Sequence, residues 1–249
     1  MRLSLASILL LSSCSAPAPP QAPVSPCHEE QFEGSAFQVC EPGSGRIEIR
    51  AGHRSFGGLG LPPEQVRFAM NAGMFDDLGA PIGLMIEDGR EVHPINRRKG
   101  GGNFHLMPNG VFFVRKDGTA GISTSDAFAP SPAIRFATQS GPMLVIDGKI
   151  NPKFSPDGES RYVRNAVGID AAGKPHFIIS LDVVSFGKMA RFVRDRVGAR
   201  DALYLDGSVS SLWDPAAGRQ DDFTELGPIV VVLKPGAESG PDRAGRATP

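Results

Sequence analysis

The stretch Asp201-Ala-Leu-Tyr-Leu-Asp-Gly-Ser-Val-Ser-Ser-Leu212 joins a short apolar run to an acid and a series of small polar residues. The run 202–205 predicts a buried strand that delivers Asp206 into a turn. No alternating apolar pattern of a return strand follows it. The small residues of the turn are Gly207, Ser208, Ser210 and Ser211. We interpret the turn as the polar floor of a site, with Asp206 as its central acid.

A strand and an amphipathic helix are predicted just before this stretch. Residues 176–183 are apolar enough for a buried strand, Ser185 is a typical N-cap, and Gly198 ends the helix. Such a strand–helix–strand unit predicts two parallel strands joined by a right-handed crossover. The N-terminus of the helix, which attracts anions, would then lie at the same sheet edge as Asp206.

Most of the remaining chain predicts strands. Three Asp-Gly dipeptides with strand-like flanks predict hairpins at Asp88-Gly89, Asp117-Gly118 and Asp147-Gly148. Further strands are predicted at 38–40, 46–49, 66–70 and 228–233, and the last is apolar enough to be central. The fold class predicted is α+β, a mixed β-sheet domain with hairpins and a strand–helix–strand crossover near the C-terminus.

The first residues indicate export. One Arg followed by an apolar run within residues 1–13 predicts a signal peptide, since the run is too short for a membrane span. Leu11-Ser12-Ser13-Cys14 resembles a bacterial lipobox and predicts lipidation of Cys14, with a secretory cleavage near Ala16 or Ala18 as the alternative. A periplasmic or cell-surface lipoprotein of the outer membrane is therefore expected, because Ser15 follows the lipidated cysteine.

Composition sets the remaining domain boundaries. Residues 14–30 begin with a Pro-, Ala- and Ser-rich stretch and predict a tether, residues 31–235 are long enough for one domain, and residues 236–249 predict a disordered tail. Cys27 and Cys40 form an even pair in an exported chain, which favours a disulfide over a metal site. A net charge of −1 provides no basic field for nucleic acid.

Three polar groups outside the Asp206 stretch are candidates for ligand binding. Asn71 closes an apolar strand and is either a turn former or a group aimed at a ligand. Arg164-Asn165 stands at the entrance of another strand, as an anion-binding pair would. The loop 96–105 contains three cations followed by three glycines, without the spacing of a nucleotide P-loop. It is either a phosphate cradle or a solvated loop.

Five blocks of residues, taken in order, resemble the phosphodiester glycosidase family, in its uncharacterised exported bacterial branch. The blocks are Asn71-Ala72-Gly73-Met74-Phe75; Gly102-Asn103-Phe104 with Pro108-Asn109-Gly110-Val111; Ser140-Gly141-Pro142-Met143-Leu144; Arg164-Asn165-Ala166-Val167-Gly168; and Leu203-Tyr204-Leu205-Asp206-Gly207-Ser208. The resemblance covers about residues 66–233 and implies a mixed α+β catalytic domain. Ala72, Met74, Ser208 and Val209 depart from the family's usual residues. The lost glycines narrow the space around Asp206, which bears on substrate identity.

The resemblance implies hydrolysis of the glycosidic bond in a sugar-1-phosphodiester, here in the bacterial cell envelope. Asp206 would activate water or stabilise the cationic transition state. Arg164, with the helix end at Ser185, would hold the phosphate, while Asn71 and Asn165 would position sugar hydroxyls or water. The other expected substrate-binding residues are Gly73, Ser140, Gly141, Gly207, Ser208, Ser210 and Ser211.

Other functions are compatible with the same residues. An envelope lipoprotein that binds a phosphorylated glycan without cleaving it is the main alternative. A serine hydrolase is disfavoured, because the chain has no Gly-x-Ser-x-Gly elbow and its histidines are scattered. No cofactor is expected, and a divalent metal on Asp206 has no support from a cluster with ligand spacing.

Overall fold

A computed structural model describes residues 24–221 and 223–237. The predicted signal peptide, Cys14 and residues 238–249 of the predicted tail lie outside the described residues. The strands and the helix are, in chain order, β1 (Cys27–Phe32), β2 (Ser35–Cys40), β3 (Arg46–Arg50), β4 (Val66–Asn71), β5 (Met85–Glu87), β6 (Arg90–His93), β7 (Gly110–Arg115), β8 (Ala120–Thr124), β9 (Ile134–Ser140), β10 (Met143–Ile146), β11 (Lys149–Ile150), β12 (Asn165–Asp170), β13 (Pro175–Ser180), α1 (Phe186–Asp195), β14 (Ala199–Tyr204), β15 (Leu212–Asp214), β16 (Arg219–Gln220) and β17 (Ile229–Leu233).

The strands form three sheets around a shared core. Their orders are β1-β2-β13-β12-β14-β10-β11, β16-β15-β4-β17-β3 and β6-β5-β9-β7-β8. Alternate residues of all three sheets meet inside, among them Phe68, Phe112 and Phe177. The helix covers the other face of the seven-stranded sheet, where Phe192 stacks on Phe37. The class is α+β, but every pairing between the described strands is antiparallel, so the predicted mixed sheet is wrong.

The three Asp-Gly hairpins are confirmed. They join β5 to β6, β7 to β8 and β10 to β11. Asp88 and Asp147 have φ values of 48° and 47°, and the glycine after each is also left-handed. Asp and Gly tolerate this conformation, which matches the twist of paired strands. The role of these Asp residues is therefore to adopt the backbone conformation that the turn requires.

β13, α1 and β14 follow one another in the predicted order, but β12 lies between the two strands of the predicted crossover. β13 and β14 each pair antiparallel with β12, so they run in the same direction without contacting each other through hydrogen bonds. Ser185 accepts a hydrogen bond from the Lys188 amide and caps α1 as predicted. The helix ends at Asp195, three residues before the glycine at which it was predicted to stop. The handedness of the connection stays a prediction.

The folded domain begins earlier than the sequence indicates. β1 occupies Cys27–Phe32, so residues 27–30, predicted as tether, belong to the seven-stranded sheet. Cys27 lies directly opposite Cys40 in the β1–β2 register, and the predicted disulfide joins them. Covalent and backbone pairing to β2 explains why this polar strand is held despite its low apolar content.

Removing the disulfide is expected to destabilise the domain without altering its site. The bridge closes a loop with a sequence separation of 13, and loss of such a constraint costs about 3 kcal/mol in the chain-entropy account. A Cys27→Ser/Cys40→Ser variant should therefore show a lower urea midpoint than the oxidised protein. Equal midpoints for the variant and the oxidised protein would contradict this prediction.

The strand ends that carry candidate site residues lie at one end of the fold. β4 ends at Asn71, β12 begins at Asn165, and Asp206 is the second residue after β14. The registers place these residues at one level, since Asn165 pairs with the backbone of Asp206 and Leu205. We call this the Asp206 end.

Candidate functional site

The central group of the site is the carboxyl of Asp206, on the turn that follows β14. The residue is half-buried. Its Oδ1 accepts a hydrogen bond from the Ser208 amide at 2.9 Å, while Oδ2 accepts none from the described residues. Burial raises the pKa of Asp206, an effect that the amides of Ser208 and Gly207 oppose. One carboxylate oxygen is thus fixed and the other is available to a substrate or a water.

Two buried asparagines position this turn. The Asn165 Nδ2 donates to the Asn71 carbonyl at 2.9 Å and to its Oδ1 at 3.0 Å. Each side-chain oxygen then accepts from the turn, Asn165 Oδ1 from the Asp206 amide at 3.0 Å and Asn71 Oδ1 from the Ser211 amide at 2.9 Å. Both side chains are at most 1% exposed. They therefore hold the turn from beneath, rather than contacting sugar hydroxyls as predicted.

The predicted serines divide into structural and accessible groups. Ser140 is fully buried and its hydroxyl donates to the Leu205 carbonyl at 2.6 Å. Ser211 is also buried. The Ser210 hydroxyl lies 2.7 Å from the Asp206 carbonyl and closes the turn. Ser208 alone is exposed. A direct substrate contact is therefore supported for Ser208 and disfavoured for Ser140 and Ser211.

Two of the predicted glycines serve close packing. A Cβ at Gly73 would overlap the Gln139 carbonyl, and one at Gly141 would lie 2.6 Å from the Asn109 Cβ. Both glycines are buried. Gly73 lets the segment after β4 approach β9, and Gly141 lets the segment after β9 approach the residue before β7. The two glycines shape the site without lining it.

Arg164 does not occupy the predicted phosphate-binding position. It is fully buried, and its guanidinium donates to the carbonyls of Val184 at 2.9 Å and Ser160 at 3.0 Å. It lies 3.7 Å from the Phe186 ring centroid and donates to the Tyr204 hydroxyl at 3.3 Å. Burial lowers the pKa of Arg164. Carbonyls and aromatic rings thus enclose the cation, which leaves no access for a phosphate.

The N-terminus of α1 is closed in the same way. Ser185 is fully buried and its hydroxyl donates to the Pro156 carbonyl at 3.4 Å. A Cβ at Gly187 would overlap the carbonyls of Ser155 and Pro156. The chain itself covers the positive end of the helix, so the predicted anion site at Ser185 is wrong.

Tyr204 is the residue of the site that the sequence analysis missed. Strand alternation points it away from Leu203 and Leu205, onto the side of the sheet that faces the helix. Its hydroxyl accepts from Arg164 and lies directly against Gly207. Burial raises the pKa of Tyr204, so the phenol stays neutral. The alternation pattern was visible in the sequence, but the contact with Arg164 was not.

Substitution of Gly207 is expected to test this contact. A Cβ at position 207 would overlap the Tyr204 hydroxyl, whereas the next atom of that side chain, Cζ, would be 3.2 Å away. Overpacking of this kind costs about 1–3 kcal/mol. Gly207→Ala should therefore lower the free energy of unfolding less in a Tyr204→Phe background than in the wild type, measured by urea denaturation. The same cost in both backgrounds would show that the hydroxyl is not the obstacle.

The loop 96–105 is pinned at both ends and exposed between them. Gln139 is 1% exposed, and its Oε1 accepts from the Asn96 amide at 2.8 Å while its Nε2 donates to the Asn96 carbonyl at 2.6 Å. At the other end Asn109 Nδ2 donates to the Phe104 carbonyl at 3.1 Å. The intervening residues 97–103 are exposed. Because Phe104 packs near Gly141, this loop borders the strand ends of the site.

The described residues contain neither a metal-binding cluster nor a helix suited to span a membrane. Within residues 24–221 and 223–237, His, Cys, Asp and Glu side chains form no group of three or more able to hold a metal ion. In the same part of the chain, no helix has the length and apolar content needed to cross a membrane.

Comparison with known proteins gives a family match. The family model described as phosphodiester glycosidase matches residues 64–223, which is more than half of the chain. The Escherichia coli K12 protein YigE, described as uncharacterised, is 42% identical over 149 residues. That alignment covers 60% of this chain and 58% of YigE, so the chain spans less than two thirds of this relative.

Solved structures share the fold. The catalytic domain of zebrafish N-acetylglucosamine-1-phosphodiester alpha-N-acetylglucosaminidase, auto-inhibited by its pro-peptide, matches 84% of this chain and 81% of that chain, with a TM-score of 0.57 and 17% identity. A hypothetical protein from Synechocystis matches 83% of this chain and 61% of that chain, with a TM-score of 0.53 and 14% identity. A putative exported protein from Burkholderia pseudomallei matches 80% and 73%, with a TM-score of 0.51 and 13% identity. At these identities the likeness concerns the fold.

Proposed function

The chain belongs to the phosphodiester glycosidase family, and from this premise we propose that it hydrolyses the glycosidic bond of a sugar-1-phosphodiester. The observation that supports the proposal is the Asp206 turn. A half-buried carboxyl with one unbonded oxygen sits at a strand end, and Asn71 and Asn165 fix the backbone on which it stands. Such a group is positioned for chemistry rather than for folding.

The proposed reaction requires few catalytic groups besides one carboxylate. Cleavage at the anomeric carbon passes through an oxocarbenium-like transition state. The phosphomonoester that departs is already a stable anion, so protonation of the leaving group matters less than in ordinary glycosidases. Asp206 would take a proton from the attacking water or stabilise the developing cation. The raised pKa of Asp206 makes its carboxylate a stronger base than a fully solvated one.

The phosphate needs partners other than Arg164 and Ser185, both of which are enclosed. The exposed cations of the loop 96–105 are the alternative, and of these Arg98 and Lys99 precede three exposed glycines. Arg97 is engaged through two guanidinium nitrogens, which donate to the carbonyls of Ser125 and Phe128 at 3.0 Å. Arg98 makes one longer side-chain contact, from Nε to the Asn96 Oδ1 at 3.4 Å. We therefore assign the phosphate to Arg98, Lys99 and the backbone of the glycines.

The test is a panel of sugar-1-phosphodiesters incubated with purified protein in ¹⁸O-labelled water. We expect free sugar that contains the label and an aglycone that keeps an unlabelled phosphate. Label in the phosphate, whether the phosphate stays on the aglycone or on the sugar, would identify a phosphodiesterase instead. Binding of the diesters without release of either product would support the non-catalytic glycan-binding alternative.

We also propose that the domain works in the bacterial cell envelope, held by a lipid on Cys14. The Cys27–Cys40 disulfide supports an oxidising compartment. Expression of the full chain with labelled palmitate should yield a labelled protein in the membrane fraction, and Cys14→Ser should abolish the label. Label that persists in the variant would refute the anchor.

A further inference from the structure

The end of the fold opposite Asp206 contains a cavity of about 220 Å³ between two of the sheets. Its lining comes from residues 45–47 at the start of β3, residues 114–118 at the end of β7 and residues 135–136 near the start of β9. We call it the basic cavity, because cations predominate among its charged lining residues, which are Arg46, Arg115, Lys116, Asp117 and Arg135.

Strand β7 runs from the Asp206 end to the basic cavity. Its first residue, Gly110, pairs with Ser140. The Ser140 hydroxyl donates to the carbonyl of Leu205, which precedes Asp206. The last residue of the strand, Arg115, lines the cavity. A strand of six residues spans about 17 Å between its first and last Cα atoms. The cavity is therefore a separate site and not an extension of the Asp206 turn.

The basic cavity combines an apolar floor with a charged mouth. Ile47, Val114 and Phe136 belong to the core that the three sheets share. Lys116 is exposed, and its side chain forms no ion pair within the described residues. The guanidinium of Arg115 lies over an aromatic ring on the other face of β7. The floor and the Lys116 ammonium together suit an anionic group that is attached to an apolar one.

The acids at the cavity do not neutralise it. Asp117 Oδ1 is occupied within its own turn, where it accepts hydrogen bonds from the amide and the hydroxyl of Thr119. Asp88 pairs with Arg135 at 2.8 Å, but this pair is exposed. Exposed ion pairs are weak and are screened by salt, so Arg135 can exchange this partner for another anion.

Arg67 adds positive charge behind the lining. A Cβ at Gly45 would lie 2.6 Å from the Arg67 Cδ. The Arg67 Nε is buried without a hydrogen-bond partner, and its guanidinium forms no ion pair, among the described residues. Arg46, in contrast, is paired with Glu48 at 2.9 Å. The positive potential of the cavity therefore comes mainly from Lys116, Arg67 and the weakly paired cation on β9.

The chain enters the domain at this end of the fold. The Pro26 carbonyl accepts a hydrogen bond from the Glu41 amide at 3.1 Å, and the turn that begins there leads to Gly45 in the lining. Cys14 precedes Pro26 by twelve positions, which span at most about 43 Å. A lipid on Cys14 would therefore tether the membrane to the end of the fold that carries the basic cavity.

We propose that the basic cavity binds the phosphate headgroup of an anionic lipid and so holds this end of the domain against a membrane. Lysine and arginine side chains are attracted to anionic lipid surfaces, and basic pockets bind lipid headgroups. The choice of a lipid rests on the proposed anchor at Cys14 and does not depend on the proposed hydrolysis. The Asp206 carboxyl then faces away from the bilayer, towards substrates in the surrounding compartment.

The test measures partition onto vesicles, with Cys14→Ser in every full-length chain so that no lipid anchor contributes. At about 0.1 M salt we expect at least about tenfold stronger partition onto phosphatidylglycerol vesicles than onto phosphatidylcholine vesicles. At about 1 M salt, where the Debye length is about 3 Å, the preference should disappear. Each cation at an anionic surface contributes about fivefold. Partition onto phosphatidylglycerol should therefore weaken about fivefold in Lys116→Gln and about tenfold or more in Lys116→Gln/Arg135→Gln.

The matched control is Lys153→Gln/Arg161→Gln, which removes two exposed cations that do not line the cavity. It should partition as the Cys14→Ser protein does. Equal partition onto the two kinds of vesicle, unchanged partition in the cavity variants or an equal loss in the control would overturn the proposal. Displacement from the vesicles by inorganic phosphate at constant ionic strength would assign the cavity to a free anion and would also overturn it.

The palmitate experiment separates this proposal from the anchor. Label on Cys14 without a preference for anionic vesicles would leave the anchor standing and refute the cavity site alone. A preference for anionic vesicles without label would refute the anchor and support the cavity site.

Discussion

Asp206→Asn is expected to abolish release of free sugar from a sugar-1-phosphodiester while leaving the fold intact. Removal of a general acid or base typically costs about 10²- to 10⁴-fold in rate. Burial raises the pKa of Asp206 in the folded protein, so its charged form opposes folding at pH values above that pKa. The neutral amide removes this cost, and the melting temperature should stay equal or rise slightly.

The control for this variant is Asp147→Asn. Asp147 is also followed by a glycine in a turn, but it is remote from the site and highly exposed. It should keep full activity. Wild-type rates in Asp206→Asn would remove Asp206 from the mechanism, and a large fall in its melting temperature would mean that the loss of rate reflects unfolding.

The pH dependence of the wild-type enzyme follows from the same group. If Asp206 acts as a carboxylate, kcat/KM should fall as the pH is lowered through its raised pKa. The acidic limb of the profile should therefore lie above the usual range for a solvated aspartate.

Arg164→Met is expected to have the largest effect on stability. The side chain is fully buried, and its guanidinium donates to Val184, Ser160 and Tyr204. Loss of the guanidinium removes its hydrogen bonds to these three oxygens, and a hydrogen bond to a charged group contributes about 1.5–3 kcal/mol. The free energy of unfolding in urea should fall by about 3 kcal/mol or more.

Two further substitutions make this result interpretable. Arg164→Lys keeps the positive charge but lacks the planar guanidinium with its several N–H donors. Its free energy of unfolding should therefore lie between those of Arg164→Met and the wild type. Arg161→Met removes an exposed cation three residues earlier and should change the free energy of unfolding by no more than about 0.5 kcal/mol. If Arg164→Met were as stable as the wild type but no longer bound the diester, the original assignment of Arg164 to the phosphate would be restored.

Local signals in the sequence were sufficient for the hairpins and the Asp206 turn. Asp-Gly pairs specify their own backbone conformation, and an apolar run that ends in an acid marks a strand end. The division into three sheets was not predictable in this way. It depends on pairings such as β2 with β13, whose partners are far apart in the chain.

Arg164 and Ser185 show why site residues are harder to predict from the sequence than helices and strands are. The residue types suit a phosphate, but their surroundings come from distant segments. Ser160 and Val184 supply the carbonyls that receive the guanidinium, and Pro156 covers the helix end. Asn71 and Asn165 lie beneath the Asp206 turn, and their mutual hydrogen bonds make them supports of its backbone rather than the predicted ligands.

The two anchored ends of the loop 96–105 have an evolutionary implication. Gln139 fixes one end to β9 and Asn109 fixes the other next to β7. Substitutions, insertions or deletions within residues 97–103 would therefore leave the three sheets and the acid undisturbed. Related chains can therefore differ in the length and chemistry of this loop while keeping the same strand ends and the same acid.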